Sequence, residues 1–186
     1  YENSFVPGVG LRLVQPCIPQ TLKWEPSRRR VIFEEMAALT RLPSGQEMTH
    51  VLWPESALPF FAQDNPRVCQ MLGALVPDEK GALILGVPRQ EWKDNQRTLW
   101  NGLMALNSQG QVVATYNKHH LVPFGEYVPG RWLLPSTVKK VTSGGIDYTP
   151  GSGPRTLRIG NLPAFSPLIC YEVIFPQGIV DAQDRP

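Results

Sequence analysis

Apolar residues in this chain come in short runs, and their spacing alternates between stretches that predict strands and stretches that predict helices. LRLVQPCI (11–18) is almost continuously apolar and branched between Gly10 and Pro19, which predicts a buried strand. PQTLKWE reads as a loop, and Pro26 then suits the first helical position. Ile32, Met36 and Leu39 recur at spacings of four and three, predicting an amphipathic helix that ends near Pro43. MTHVLWP (48–54) predicts a second strand with Glu55 at its C-terminal end. Another helix is expected after Pro66, with Val68, Met71, Leu72 and Leu75 on one face, and ALILGVP (82–88) predicts a third strand. The order β-α-β-α-β is that of a sheet with helices on one side.

The pattern then changes. TLWNGLMALN and QVVATYNK flank Ser108-Gln109-Gly110 and predict a β-hairpin. RTLRIG and FSPLIC flank Asn161-Leu162-Pro163 and predict a second antiparallel pair, while TSGGIDYTPGSGP (142–154) has the composition of a flexible loop. On this reading Glu55, Lys118 and Cys170 all fall just beyond strand ends, the edge at which open α/β sheets gather ligand and catalytic groups.

Composition narrows the class. The 186 residues fit one domain, and 42% hydrophobic with 18% charged residues is a globular balance. A net charge of +2 is too small to argue for nucleic acid as a partner. Arg28, Arg29 and Arg30, the one basic run, read as a solvated helix start. No apolar run approaches the roughly 20 residues of a membrane helix, and no signal-peptide pattern opens the chain. Because it starts at Tyr1 without Met and stops soon after Cys170, the chain is expected to be a piece of a longer protein. Cys17, Cys69 and Cys170 have neither zinc-like spacing nor a disulfide framework. Cys17 and Cys69 are expected to be small buried hydrophobes, and His50 an ordinary strand residue.

The densest chemistry lies in YNKHHLVPFGEYVP (116–129), with WPES around Glu55 and PLICYE around Cys170. A carboxylate, an ammonium and a thiol, each ending an apolar run, are the parts of a covalent acyl-transfer site. Cys170 is the candidate nucleophile: a strand would hand it to a turn that exposes sulfur and aims backbone N–H groups at a developing oxyanion. Glu55, behind rigid Trp53-Pro54, suits a proton acceptor. Lys118 is placed to stabilise an oxyanion and is expected to favour the thiolate. Glu126 is expected either to orient Lys118 or to act as an extra acid or base. Taken singly, each is as readily a surface or packing residue; together they make a site.

WPES, KHHL with PFGEYVP, and ICYE resemble the Glu–Lys–Cys signature of the nitrilase (carbon–nitrogen hydrolase) superfamily. Within it, HLVPFGEYVP, ICYEVIFP and VQPCIPQTLKW resemble the apolipoprotein N-acyltransferase family, from about Leu11 to Pro176. The resemblance implies a nitrilase-like α-β-β-α sandwich, here residues 1–186 as its N-terminal and central part. Membrane helices and the rest of the domain would lie outside the chain. It also implies Glu55 as general base, Lys118 as transition-state stabiliser and Cys170 as nucleophile. Glu126, Tyr171 and Glu172 would support them, and Trp24 and Trp53 would face lipid. No metal or diffusible cofactor is implied.

The implied reaction moves a fatty acyl chain from a phospholipid, through a Cys170 thioester, to the N-terminal amine of a diacylglyceryl-cysteine lipoprotein. It would take place at the periplasmic side of a bacterial inner membrane. Trp24, Leu121, Val122 and Phe124 are candidates to shield the thioester from water. A soluble amidase of the same superfamily is the alternative, and an inactive binding module a third.

Overall fold

The structure, a computed structural model, describes residues 5–130, Leu133 and 147–186. Its elements are β1 (Leu11–Leu13), α1 (Gln20–Lys23), α2 (Arg29–Thr40), β2 (His50–Leu52), α3 (Pro66–Gly73), β3 (Leu83–Lys93), β4 (Gln96–Leu106) and β5 (Val112–Asn117). They form one five-stranded sheet in the order β1-β2-β3-β4-β5. The first three strands are parallel and the last two pairings antiparallel. This is the expected α/β class, with one sheet of the sandwich present among the described residues.

The helices start where the chemistry calls for it. Pro26 opens a 3-10 turn that leads into α2, and Pro66 occupies the first turn of α3. The Asn65 side chain caps α3 by accepting from the Val68 N–H at 3.3 Å. Ile32, Met36, Cys69 and Leu72 then pack against Val51, Leu83, Leu85, Val87, Met104 and Leu106 on one sheet face. Residues one step along the same strands point the other way. Ala82, Ile84, Ala105 and Tyr116 form a second core with Leu157, Ile159 and Ile169. At about 1.5–3 kcal/mol for each large side chain buried, the two cores hold the sheet rigid between them.

Several expectations are corrected. β1 is three residues long and lies at one edge of the sheet, with Leu11 and Leu13 exposed, because among the described strands it pairs with β2 alone and Pro16 and Pro19 stop the ladder. Cys17, placed beyond that stop, is exposed, whereas Cys69 is buried as expected. PQTLKWE contains the short helix α1. Met71 is half exposed, so α3 presents Cys69 and Leu72 to the core in its place. The pair expected over 155–160 and 165–170 reduces to one bridge, Leu157 with Phe165. Pro167 removes a donor from the second run, and the chain continues irregularly to Cys170. The loop expected over 142–154 lies partly outside the described residues; from Asp147 on it has no regular structure.

The largest miss is the length of β3 and β4, which pair residue by residue from Leu83–Leu106 to Lys93–Gln96. Asp94 and Asn95 both take positive φ (49° and 61°), as a tight hairpin turn demands.

Candidate active site

Glu55, Lys118 and Cys170 line one cleft of about 240 Å³, together with Lys23, Trp24, Asn101, Glu126 and Tyr148. Each arrives on a separate element. Glu55 follows β2, whose Trp53 N–H bonds the Ile84 carbonyl at 2.8 Å. Gly86 of β3 sits directly beneath it: a Cβ there would lie 2.6 Å from the Glu55 Cα. The Gly86 carbonyl accepts from Ala57 N–H at 2.8 Å, so the loop carrying Glu55 is laid onto β3. Lys23, from α1, donates to the Glu55 carbonyl at 3.0 Å.

Lys118 extends β5. Its N–H bonds the Asn101 carbonyl (2.9 Å), its carbonyl accepts from Gly151 N–H (2.9 Å), and its side chain is 1% exposed. The ammonium lies 2.9 Å from Glu126 Oε2 and 3.9 Å from Glu55 Oε1. Glu126 is held by the Val122 N–H at 2.8 Å. Of its two expected roles, orienting Lys118 is the one this geometry favours.

Cys170 opens a 3-10 turn, Cys170–Ile174, with φ +50°, a conformation a non-glycine residue holds only when its surroundings enforce it. The enforcing group is Glu172. Its buried carboxylate accepts from Ile169 N–H (2.8 Å), Tyr116 O–H (2.8 Å), His119 N–H (2.8 Å) and His120 N–H (3.2 Å), and pairs with His119 Nδ1 at 2.7 Å. Thus one side chain fastens the Cys170 turn to the segment that follows Lys118. Burial and this carboxylate both push the Tyr116 hydroxyl's pKa upward. Tyr171 is partly exposed and meets Phe175 edge-on at 5.2 Å, and Phe175 stacks on His120.

The thiol sits above the ordinary cysteine range. Burial is the main cause, and the Glu55 charge and a hydrogen bond to Glu55 add to it; Lys118 and the Tyr171 N–H pull the other way and lose. Lys118 thus draws the thiol's pKa down, as expected, but does not outweigh burial and Glu55. A neutral thiol hydrogen-bonded to a carboxylate is a pair across which a proton can pass.

Other placements differ by residue. Trp24 lines the cleft, as does Val122. Trp53 does not face outward: it is 5% exposed, with Nε1 donating to Thr40 Oγ1 at 2.9 Å and its ring edge-on to Phe33. It follows β2 on the helix-covered face, so its indole joins the core. Leu121 is likewise buried, whereas Phe124 is half exposed. Several cleft residues went unread in the sequence, among them Lys23, Asn101 and Tyr148. Tyr148 carries a hydroxyl pushed up to about 12, by burial first and then by the Glu126 and Glu55 charges. Asn101 donates from Nδ2 to Glu55 Oε1 and to Glu126 Oε1, each at 2.6 Å. A polar residue inside TLWNGLMAL was the available signal for Asn101; Tyr148, in a stretch read as loop, gave none.

Residues 11–185 match the carbon-nitrogen hydrolase family model. Among curated proteins, the chain is 32% identical over 174 residues to the apolipoprotein N-acyltransferase of Brucella suis biovar 1 (strain 1330), covering 90% of this chain and 32% of that one. It is 36% identical over 169 residues to the apolipoprotein N-acyltransferase of Geobacter metallireducens, covering 89% and 32%. The chain thus spans about a third of the length of these relatives. Among solved structures, a mutant of the Nesterenkonia AN1 amidase from the nitrilase superfamily shares the fold, with TM-score 0.55 and 20% identity over 91% of this chain and 58% of that one. A CN-hydrolase superfamily protein from Xanthomonas campestris gives TM-score 0.52 and 18% identity over 91% and 53%.

Proposed function

The chain belongs to the carbon–nitrogen hydrolase family, and we propose that residues 1–186 supply the N-terminal and central part of the catalytic domain of an N-acyltransferase. The donor is a phospholipid and the acceptor the N-terminal amine of a diacylglyceryl-cysteine lipoprotein. The reaction takes place at the periplasmic face of a bacterial inner membrane, to which other parts of the full-length protein attach the domain. The observation that carries this reading is the meeting of Glu55, Lys118 and Cys170 in one cleft. The named relatives point from the family to acyl transfer.

In the first half-reaction the Cys170 sulfur attacks the ester carbonyl carbon while Glu55 takes the thiol proton. Lys118 and the Tyr171 N–H face the charge that develops. The C–O bond to glycerol breaks, and Glu55 returns the proton to the leaving alkoxide, giving a thioester and a lysophospholipid. In the second half-reaction the amine attacks the thioester carbonyl, the C–S bond breaks, and Glu55 carries the amine proton to the departing sulfur. Ester, thioester and amide follow a downhill order, and one cleft serves both lipids in turn. Trp24 and Val122 line the approach and help exclude water from the thioester.

An amidase would use the same three groups with water as the second nucleophile, and the solved structures cited above include one. The two readings separate in the full-length protein given an acyl-labelled phospholipid and a diacylglyceryl-cysteine peptide. Label recovered as an amide on the peptide is the expected outcome. Label recovered solely as free fatty acid, alongside hydrolysis of small amides, would assign the site to the amidase.

A further inference from the structure

We propose that Asn101 is a positioning residue for this site: one amide nitrogen holds both carboxylates and leaves Glu55 Oε2 as the oxygen that receives the thiol proton. Asn101 lies on β4, its side chain buried, and touches all three members of the charged cluster. Its Nδ2 donates to Glu55 Oε1 and Glu126 Oε1, both at 2.6 Å, and its backbone carbonyl accepts the Lys118 N–H at 2.9 Å.

Two carboxylates share one buried ammonium here, which lies closer to Glu126, so neutral donors are needed to solvate the carboxylate oxygens it does not reach. A backbone N–H or a hydroxyl offers one hydrogen. A primary amide offers two in one plane, spread so that each meets a different acceptor. The reversed amide would set its carbonyl oxygen against two carboxylate oxygens, so the chemistry fixes the orientation. That orientation leaves Asn101 Oδ1 buried without a hydrogen-bond partner among the described residues. A buried orphan acceptor costs stability. Retaining an amide at such a position makes sense if its two donors are what the site requires.

The consequence is directional. Asn101 engages Oε1 of Glu55, and Lys118 Nζ also approaches that oxygen, at 3.9 Å. Both contacts are made by Oε1, which leaves Oε2 to meet the thiol. Fixing one oxygen sets the carboxylate plane and so the direction from which the Cys170 hydrogen reaches it. Pro88 of β3 pairs with Asn101 across the hairpin, and Gly86 lies directly under Glu55, so both ends of the bond stand on the same two strands.

This inference rests on Cys170 as nucleophile and Glu55 as base, and its test does not require the lipid reaction. Full-length protein carrying Asn101→Ala or Asn101→Ser is compared with the unaltered protein in two assays. One follows alkylation of Cys170 by iodoacetamide, resolved by peptide mass spectrometry; the other follows single-turnover acylation by a labelled phospholipid. Asn101→Ala should slow both at neutral pH by at least tenfold, leave the phospholipid KM within about twofold, and move the acid limb of the rate–pH profile upward. Asn101→Ser, which restores one donor, should recover part of the rate. In the acylation assay, Asn101→Ala combined with Glu55→Gln should add little to the loss from Glu55→Gln alone. Rates within twofold of the unaltered protein, a change confined to KM, or full additivity with Glu55→Gln would overturn the proposal. Normal alkylation effects with no acylation in any protein would uphold Asn101 and reject the phospholipid as donor.

Discussion

The buried ammonium of Lys118 pairs with Glu126, 2.9 Å from its Oε2. Glu55, the candidate base, stands 3.9 Å away and half out of that pairing. The two carboxylates are therefore placed differently: Glu126 holds the cation, and Glu55 is left with an oxygen for the thiol proton in the proposed reaction. Both members of the pair are nearly dry, with side chains 1% and 10% exposed. Removing one partner of such a pair typically costs about 3–5 kcal/mol, because the other charge stays buried. Glu126→Gln should fall near the lower end, since Gln retains the shape and Glu55 remains close. Denaturant unfolding of the full-length protein measures it; a cost below about 1 kcal/mol would mean that the pair is not a structural brace.

The thiol offers a pH test with a definite sign. Burial and the Glu55 carboxylate favour the neutral form, so the folded thiol titrates above its ordinary range. The stability this contributes is present below the unfolded thiol's pKa and is lost as pH climbs through the higher folded value. Alkylation of Cys170, whose side chain is exposed enough to react, should accordingly show an inflection above the ordinary cysteine range. Lys118→Met should push the inflection further up, and Glu55→Gln should bring it down. An inflection that stays put in both variants, or that falls in Lys118→Met and rises in Glu55→Gln, would show that these charges do not face the sulfur. Glu55→Gln should also slow acylation roughly 10²–10⁴-fold, as loss of a general base does.

Glu172 ties the Cys170 turn to Tyr116, His119 and His120. Removing a buried acceptor leaves those donors unsatisfied, at about 1–3 kcal/mol each. Glu172→Ala should therefore abolish acylation and make the turn at 170–174 sensitive to proteolysis. Tyr116→Phe removes one bond alone and should cost about 1 kcal/mol with acylation largely kept. Equal losses from both would place the hub's weight on the tyrosine.

These relationships were unevenly legible in the sequence. Periodicity located α2 and α3, because Ile32, Met36, Cys69 and Leu72 bury one stripe each. Apolar runs located the parallel strands, and Glu55 and Lys118 come after β2 and β5, whereas the run that ends in Cys170 is not a strand. The long hairpin was missed because RQEWKDNQR is polar, and Pro88 argued for an end. β3 runs on past its short pairing with β2, where a proline N lacking hydrogen disrupts no ladder, and Asp94-Asn95 accept the turn's positive φ. Trp53 was misplaced for a related reason: the side of a strand a residue faces depends on register, and a three-residue strand carries too little alternation to fix it. Asn101 needed three dimensions, since its partners lie 46 and 25 residues away.

Lys118 has its own energetic expectation. Lys118→Met should raise the acylation barrier by about 3 kcal/mol if the ammonium supports the oxyanion. A rise in KM with kcat unchanged would assign it to donor binding.

The most direct test is to map where the acyl group goes. Full-length protein incubated with an alkyne-tagged phospholipid should carry hydroxylamine-labile label on the Cys170 peptide, and Cys170→Ser should carry none. Label that survives Cys170→Ser, or that maps to Cys17 or Cys69, would contradict the account.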